Sequence, residues 1–212
     1  MLACLRRGSL NSAMISFSEA KAARRKKQQP ERVLYLHLAL RDVEPRIWRR
    51  MVVRESMWLA RLHDAIQVAF GWFDYQLHRF TVNDVGYGNP VRRDNETLVE
   101  DDRDFSLADL EIAPKETFLY EYSFGDGWQI EVRVERAELA HTGVKYPHLT
   151  DGRFNGPPED CGGPAGYKEV LYSLKHPEEP LSKEWLEWLG EGYDPLALDL
   201  PKLNKALAKL PK

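Results

Sequence analysis

Two alternating runs around a glycine turn constrain this chain more than anything else in it. Phe118, Tyr120, Tyr122 and Phe124 alternate with Leu119, Glu121 and Ser123. After Gly125-Asp126-Gly127, Trp128, Ile130, Val132 and Val134 alternate with Gln129, Glu131, Arg133 and Glu135. A period of two on both sides of a glycine turn is an antiparallel hairpin. One face is aromatic and aliphatic on both strands, and the other is mostly charged. Burying a large apolar side chain stabilises by about 1.5–3 kcal/mol, so the apolar face belongs in the core and the hairpin in the middle of a sheet.

The rest of the chain arranges itself around that hairpin. Leu34, Leu36, Leu38 and Leu40 alternate with Val33, Tyr35, His37 and Ala39, and a second run covers Ile47 to Val53. Both predict strands. Ser56 is a candidate N-cap for a helix to Phe70, with Leu59, Leu62, Ile66 and Phe70 at helical spacing and Gly71 as its stop. His63 lies on or beside the buried face of that helix. Phe80 and Val82 suggest a strand, Asn83-Asp84 a turn and Val85 to Tyr87 its return. Ser106 and Asp109 have the spacing of a short capping box. His141 to Asp151 reads as loop. Tyr167, Val170, Leu171 and Leu174 mark a helix ending near Pro177. Ser182 and Asp199 are candidate caps for two more, the first stopping at Gly190. Strands first and helices last, with one helix after the second strand, predict an α+β fold with a mainly antiparallel sheet.

Asn155 to Gly166, NGPPEDCGGPAG, stands apart. Seven of these twelve residues are Gly or Pro. Prolines remove the freedom a linker needs, so the stretch reads as a loop of fixed shape. It carries Glu159, Asp160 and Cys161. The 212 residues, 43% hydrophobic with a net charge of −3, suit one domain and give no general attraction to nucleic acid or anionic membrane. The basic run Lys21, Arg24, Arg25, Lys26 and Lys27 marks residues 1–30 as a disordered or loosely helical extension. It is a possible contact for a protein or nucleic-acid partner, and Met14 is an alternative start. Residues 31–212 form the single domain. Two distant cysteines, Cys4 and Cys161, and no apolar run or signal segment point to a cytoplasmic protein.

Three sets of residues together resemble the plasmid pRiA4b ORF-3-like family. The first is Pro45-Arg46-Ile47-Trp48-Arg49-Arg50 with Leu62-His63, Ile66-Gln67, Phe70-Gly71-Trp72, Leu77-His78 and Phe80. The second is Tyr120, Tyr122 and Phe124-Gly125-Asp126-Gly127-Trp128. The third is Pro157-Pro158-Glu159-Asp160-Cys161-Gly162-Gly163-Pro164 with Gly166-Tyr167. The match runs from about Val33 to Leu200. It implies a compact α+β domain, often encoded on plasmids and mobile elements, and no known reaction. Some members carry a transposon-passenger or TnpR-type resolvase label. Neither a recombinase serine setting nor an Arg…His-x-x-Arg…Tyr set is found here.

Two functions remain open. One is a non-catalytic binding or accessory module using a surface of Trp48, Arg49, Arg50 and Trp128. The other is a hydrolase-type enzyme, with or without a metal's assistance, with Asp126, Glu159 and Asp160 as catalytic candidates beside His63 and His78. No cofactor is expected. A divalent metal would draw on Cys161, Glu159, Asp160 and His63, with His141 and His148 nearby in sequence, although no Cys-x-x-Cys or helical His pair is present. Two adjacent carboxylates oppose activation of the Cys161 thiol. The Gly125-Asp126-Gly127 turn and the Glu159-Asp160-Cys161 loop are expected to lie against each other and form the functional surface, completed by His63 or His78. The break in pattern at Pro30 predicts that limited proteolysis leaves a stable core starting near that residue. Early cleavage inside Trp128 to Leu171 would contradict it.

Overall fold

A computed structural model of the protein describes residues 30–90 and 99–211. The expectations for the basic run, Met14 and Cys4 fall outside them. Strands β1 (Arg32–Leu40), β2 (Trp48–Arg54), β3 (His78–Val82), β4 (Val85–Gly88), β5 (Glu100–Asp101), β6 (Thr117–Tyr122), β7 (Trp128–Leu139) and β8 (His148–Arg153) form one sheet, in the order β5-β4-β3-β6-β7-β1-β2-β8. Only β4 and β5 pair in parallel. Helix α1 (Leu59–Phe70) follows β2, and α2 (Gly163–Lys175), α3 (Pro180–Leu189) and α4 (Leu200–Leu207) close the chain. The fold is α+β, as the element order predicts. No helix among the described residues is long and apolar enough to cross a membrane.

The hairpin β6–β7 occupies the centre. Phe118 faces Val132, Tyr120 faces Ile130 and Tyr122 faces Trp128, and all six are buried. Phe124 departs from the expected pattern and is exposed. The strand stops at Tyr122 because Ser123 turns into the left-handed region, φ 50°, which breaks the alternation. In β1, Leu34, Leu36, Leu38 and Leu40 join the same core, with Leu59, Leu62, Ile66 and Phe70 of α1.

Two helix starts differ from expectation. Helix α1 begins at Leu59 rather than after Ser56, with no side-chain cap. Its first N–H groups donate instead to distant carbonyls, Leu59 to Phe105 and Ala60 to Asp102, which satisfies them as a cap would. Helix α3 begins at Pro180 and buries Ser182 in its first turn. Asp199 does cap α4, accepting from the Lys202 N–H. Ser106 donates to Asp109 from both backbone and hydroxyl, in a turn with no helix following. The stretch read as loop contains the first four residues of β8, the edge strand against β2. Asn204 of α4 closes that edge: its Oδ1 accepts from the Leu149 N–H and its Nδ2 donates to the Leu149 carbonyl.

Arg49 and Trp128, expected on a binding surface, are each 1% exposed. Trp128 points into the aromatic hairpin face. The Arg49 guanidinium donates to the carbonyls of Ala69, Trp48 and Arg153 and lies over the Phe70 ring. Burial holds its pKa down to about 10. Trp48 and Arg50 are half-buried on the opposite sheet face, where Arg50 lies over Trp48 and pairs with Glu135. Ile130→Ala should cost about 2–5 kcal/mol in urea unfolding, and Arg133→Ala, on the charged face, within about 0.5 kcal/mol. Equal costs at both would contradict the observed register.

Candidate functional site

Helical spacing places His63 and Gln67, four residues apart, on one side of α1, where each is 4% exposed. They meet β6 there. His63 Nδ1 lies 2.7 Å from the Tyr120 hydroxyl, and Gln67 Nε2 donates to the same hydroxyl at 2.9 Å. The loop after α1 carries Asp74 in a left-handed conformation, φ 60°. That bend returns the Asp74 carboxylate to His63, Oδ1 lying 2.8 Å from Nε2, while the Asp74 N–H donates to Gln67 Oε1 at 3.0 Å. β3 then begins with His78, whose ring stacks on His63 at 3.5 Å between centroids, 10° from parallel. His78 Nε2 lies 2.7 Å from Oδ2 of Asp102, a carboxylate 3% exposed.

Two Asp–His pairs thus lie side by side. They line a pocket of about 670 Å³ with Trp58, Arg61, Tyr75 and Arg103 among its walls, a volume suited to a small molecule. Burial first, and the neighbouring His78 second, hold the His63 imidazole down to about 3. The ring is therefore uncharged near neutral pH, and its contact with Asp74 is a hydrogen bond rather than an ion pair. Burial also raises the Asp74 carboxyl above its ordinary range. Donor atoms of His63, Asp74 and His78 all lie within 4.8 Å of one another, close enough to hold a metal ion.

The other expected site residues lie outside this pocket. The hairpin tip and the Gly/Pro loop do meet. At Gly163, φ 69°, a Cβ would stand 1.9 Å from the Asp126 carbonyl oxygen, so only glycine fits. Glu159 accepts from the Phe73 N–H and from the Tyr122 hydroxyl. It braces the loop that carries Asp74. Neither Glu159 nor Asp160 caps α2, whose N-cap is Gly162 without a side-chain bond. Burial first and Asp160 second raise the Asp126 carboxyl. None of Asp126, Glu159 and Asp160 lines the histidine pocket. Cys161 is 1% exposed, its thiol pushed up to about 12 by burial and by Asp126. His148 bonds the Lys145 carbonyl, and His141 is exposed. The sequence offers His63 and His78 as candidates beside the carboxylates, gives Gln67 and Tyr120 only as part of the family resemblance, and does not single out Asp74 or Asp102. The Gln67 signal was its position one turn after His63.

The comparisons agree with this architecture. The family model for plasmid pRiA4b ORF-3-like proteins matches residues 32–202. The chain belongs to that family. It is 37% identical over 179 residues to the uncharacterised protein y4hQ of Sinorhizobium fredii, covering 84% of this chain and 92% of the relative. It is also similar to the crystal structure of MM3350, a protein of unknown function from Methanosarcina mazei Go1. That likeness has a TM-score of 0.74 at 34% identity and covers 82% of this chain and 98% of that one.

Because the Cys161 pKa is raised, its stabilising contribution is fully present below pH 9 and is lost as pH rises towards 12. In a Cys4→Ser background, native Cys161 should resist iodoacetamide at pH 8 and react once urea unfolds the protein. Fast labelling of the native thiol at pH 8 would contradict its burial.

Proposed function

We propose that this pRiA4b ORF-3-like domain is a hydrolase-type enzyme whose reaction centre is the paired His63–Asp74 and His78–Asp102 pocket. The observation that carries this reading is the composition of the pocket wall. Among the described residues it holds two Asp–His pairs but no Cys, Ser, Thr or Lys, so the nucleophile most available to an acid–base pair there is water. Asp102 accepts the Nε2 proton of His78 and leaves Nδ1 as the basic nitrogen. His78 takes a proton from the attacking water on Nδ1 and gives it to the leaving group. Asp74 accepts the water's other hydrogen and orients it. The buried Asp102 and the neutral His63 ring stabilise the imidazolium that forms. The Asp126, Glu159 and Asp160 carboxylates serve this site indirectly, through the brace of Glu159 on the Asp74 loop.

A second reading rests on the 4.8 Å cluster of His63, Asp74 and His78. Two histidines and a carboxylate leave a fourth tetrahedral position for a water that a divalent ion would activate. The parallel rings would have to splay, since their in-plane lone pairs do not converge on one ion.

Assay with p-nitrophenyl acetate, p-nitrophenyl phosphate and bis(p-nitrophenyl) phosphate tests the proposal. At least one should turn over, and His78→Ala should lose about 10²–10⁴-fold while the protein stays folded, with a lowered melting temperature because Asp102 loses its partner. Wild-type rates equal to those of His78→Ala would leave the pocket a binding site, as in the accessory-module reading. Activity that is lost with a chelator and restored by zinc would favour the metal-assisted route.

A further inference from the structure

Four groups around His63 close a ring: Asp74 N–H to Gln67, Gln67 to Tyr120, Tyr120 to His63, and His63 back to the Asp74 carboxylate. We infer that this ring is a one-way hydrogen-bond circuit that fixes the His63 proton on Nε2 and sets Asp74 as the acceptor facing the pocket. Gln67 and Tyr120 are its positioning residues.

The direction follows from one group that has no choice. A backbone N–H can only donate, so the atom of Gln67 beside Asp74 N is its oxygen. Its amide NH₂ therefore faces Tyr120 and donates to the hydroxyl oxygen. Tyr120 has one proton left to place, and His63 Nδ1 is 2.7 Å away. If Tyr120 donates it, Nδ1 is the lone-pair nitrogen, Nε2 carries the hydrogen, and that hydrogen meets the Asp74 carboxylate. Every donor then has an acceptor. In the reverse arrangement Nδ1–H would point at Tyr120, and the phenolic hydrogen, in a side chain with 0% exposure, would lose its acceptor in the ring. The Nε2 lone pair would also face a carboxylate lone pair. A buried donor without a partner costs about 1–3 kcal/mol, so the first direction holds.

The circuit starts and ends on Asp74, by its backbone and its side chain. It therefore fixes the loop and the carboxylate together and spares His63 from carrying charge. It also sets a condition on the metal-assisted route: an ion on His63 Nε2 has to displace this hydrogen and leave the Tyr120 hydroxyl without its acceptor.

Long-range ¹⁵N NMR of histidine-labelled full-length protein at pH 7 tests the inference, with His63 assigned through His63→Gln. Expected are an imine-type Nδ1 and a pyrrole-type Nε2. A pyrrole-type Nδ1 in the wild type overturns the circuit by itself. Tyr120→Phe, which keeps the ring volume, should move the Nδ1 signal towards an unbonded imine nitrogen, and an unmoved signal also overturns it. The kinetic arm rests on the acid–base reading: Tyr120→Phe should lower kcat with KM little changed. An inactive wild type with the expected tautomer would end the hydrolase reading and leave the circuit standing. An active wild type with hydrogen on Nδ1 would do the reverse.

Discussion

The packing of β6 on β7 decides where two tyrosine hydroxyls stand, and the rest of the site depends on them. Tyr120 and Tyr122 alternate onto one face, about 7 Å apart along the strand. Tyr120 reaches His63 and Gln67, and Tyr122 reaches Glu159. One hydroxyl therefore belongs to the pocket and the other to the Gly/Pro loop that braces it. A slip of one residue would turn both to the charged side of the sheet. The large apolar partners opposite them, Ile130 and Trp128, make that slip costly.

Arg49 fastens the second half of this frame. A buried cation without a carboxylate partner is expensive. Three carbonyls, from the end of α1, β2 and β8, share its hydrogens. The Ala69 carbonyl lies near the C-terminal end of α1, where the helix dipole is negative and favours a cation. The same helix presents His63 and Gln67, so a side chain remote from the pocket helps hold the helix that lines it. The planar fork of arginine can meet three acceptors in fixed directions, which a single ammonium cannot.

What could be read from sequence was what repeats locally. The hairpin, the β1 leucines and the apolar stripe of α1 are periodic and came through. His63 was placed on a buried face by the same spacing. Ser56 was misleading because the first N–H groups of α1 are satisfied by the Phe105 and Asp102 carbonyls, and Ser182 because Pro180 already opens α3 two residues earlier. β8 was missed because His148 to Arg153 buries only Leu149 and shows no alternation. Asp102 sits among Glu100, Asp101 and Asp104, where one carboxylate looks like the next. The partners of His63 are Asp74 and Tyr120, with Gln67 joining the two, and the Tyr120 contact exists only once α1 lies on β6. The resemblance to the family carried the fold and left the pocket to be found from geometry.

The amide of Asn204 occupies the place that another strand would take beside Leu149. An edge strand with unpaired backbone groups is a template on which a second chain can add. Here one side chain supplies both the acceptor and the donor that such a neighbour would offer. At the other margin β5 is only two residues long, too short to seed a ladder. Both borders of the sheet are thereby poor sites for self-association, a protection obtained from one amide at one end and brevity at the other.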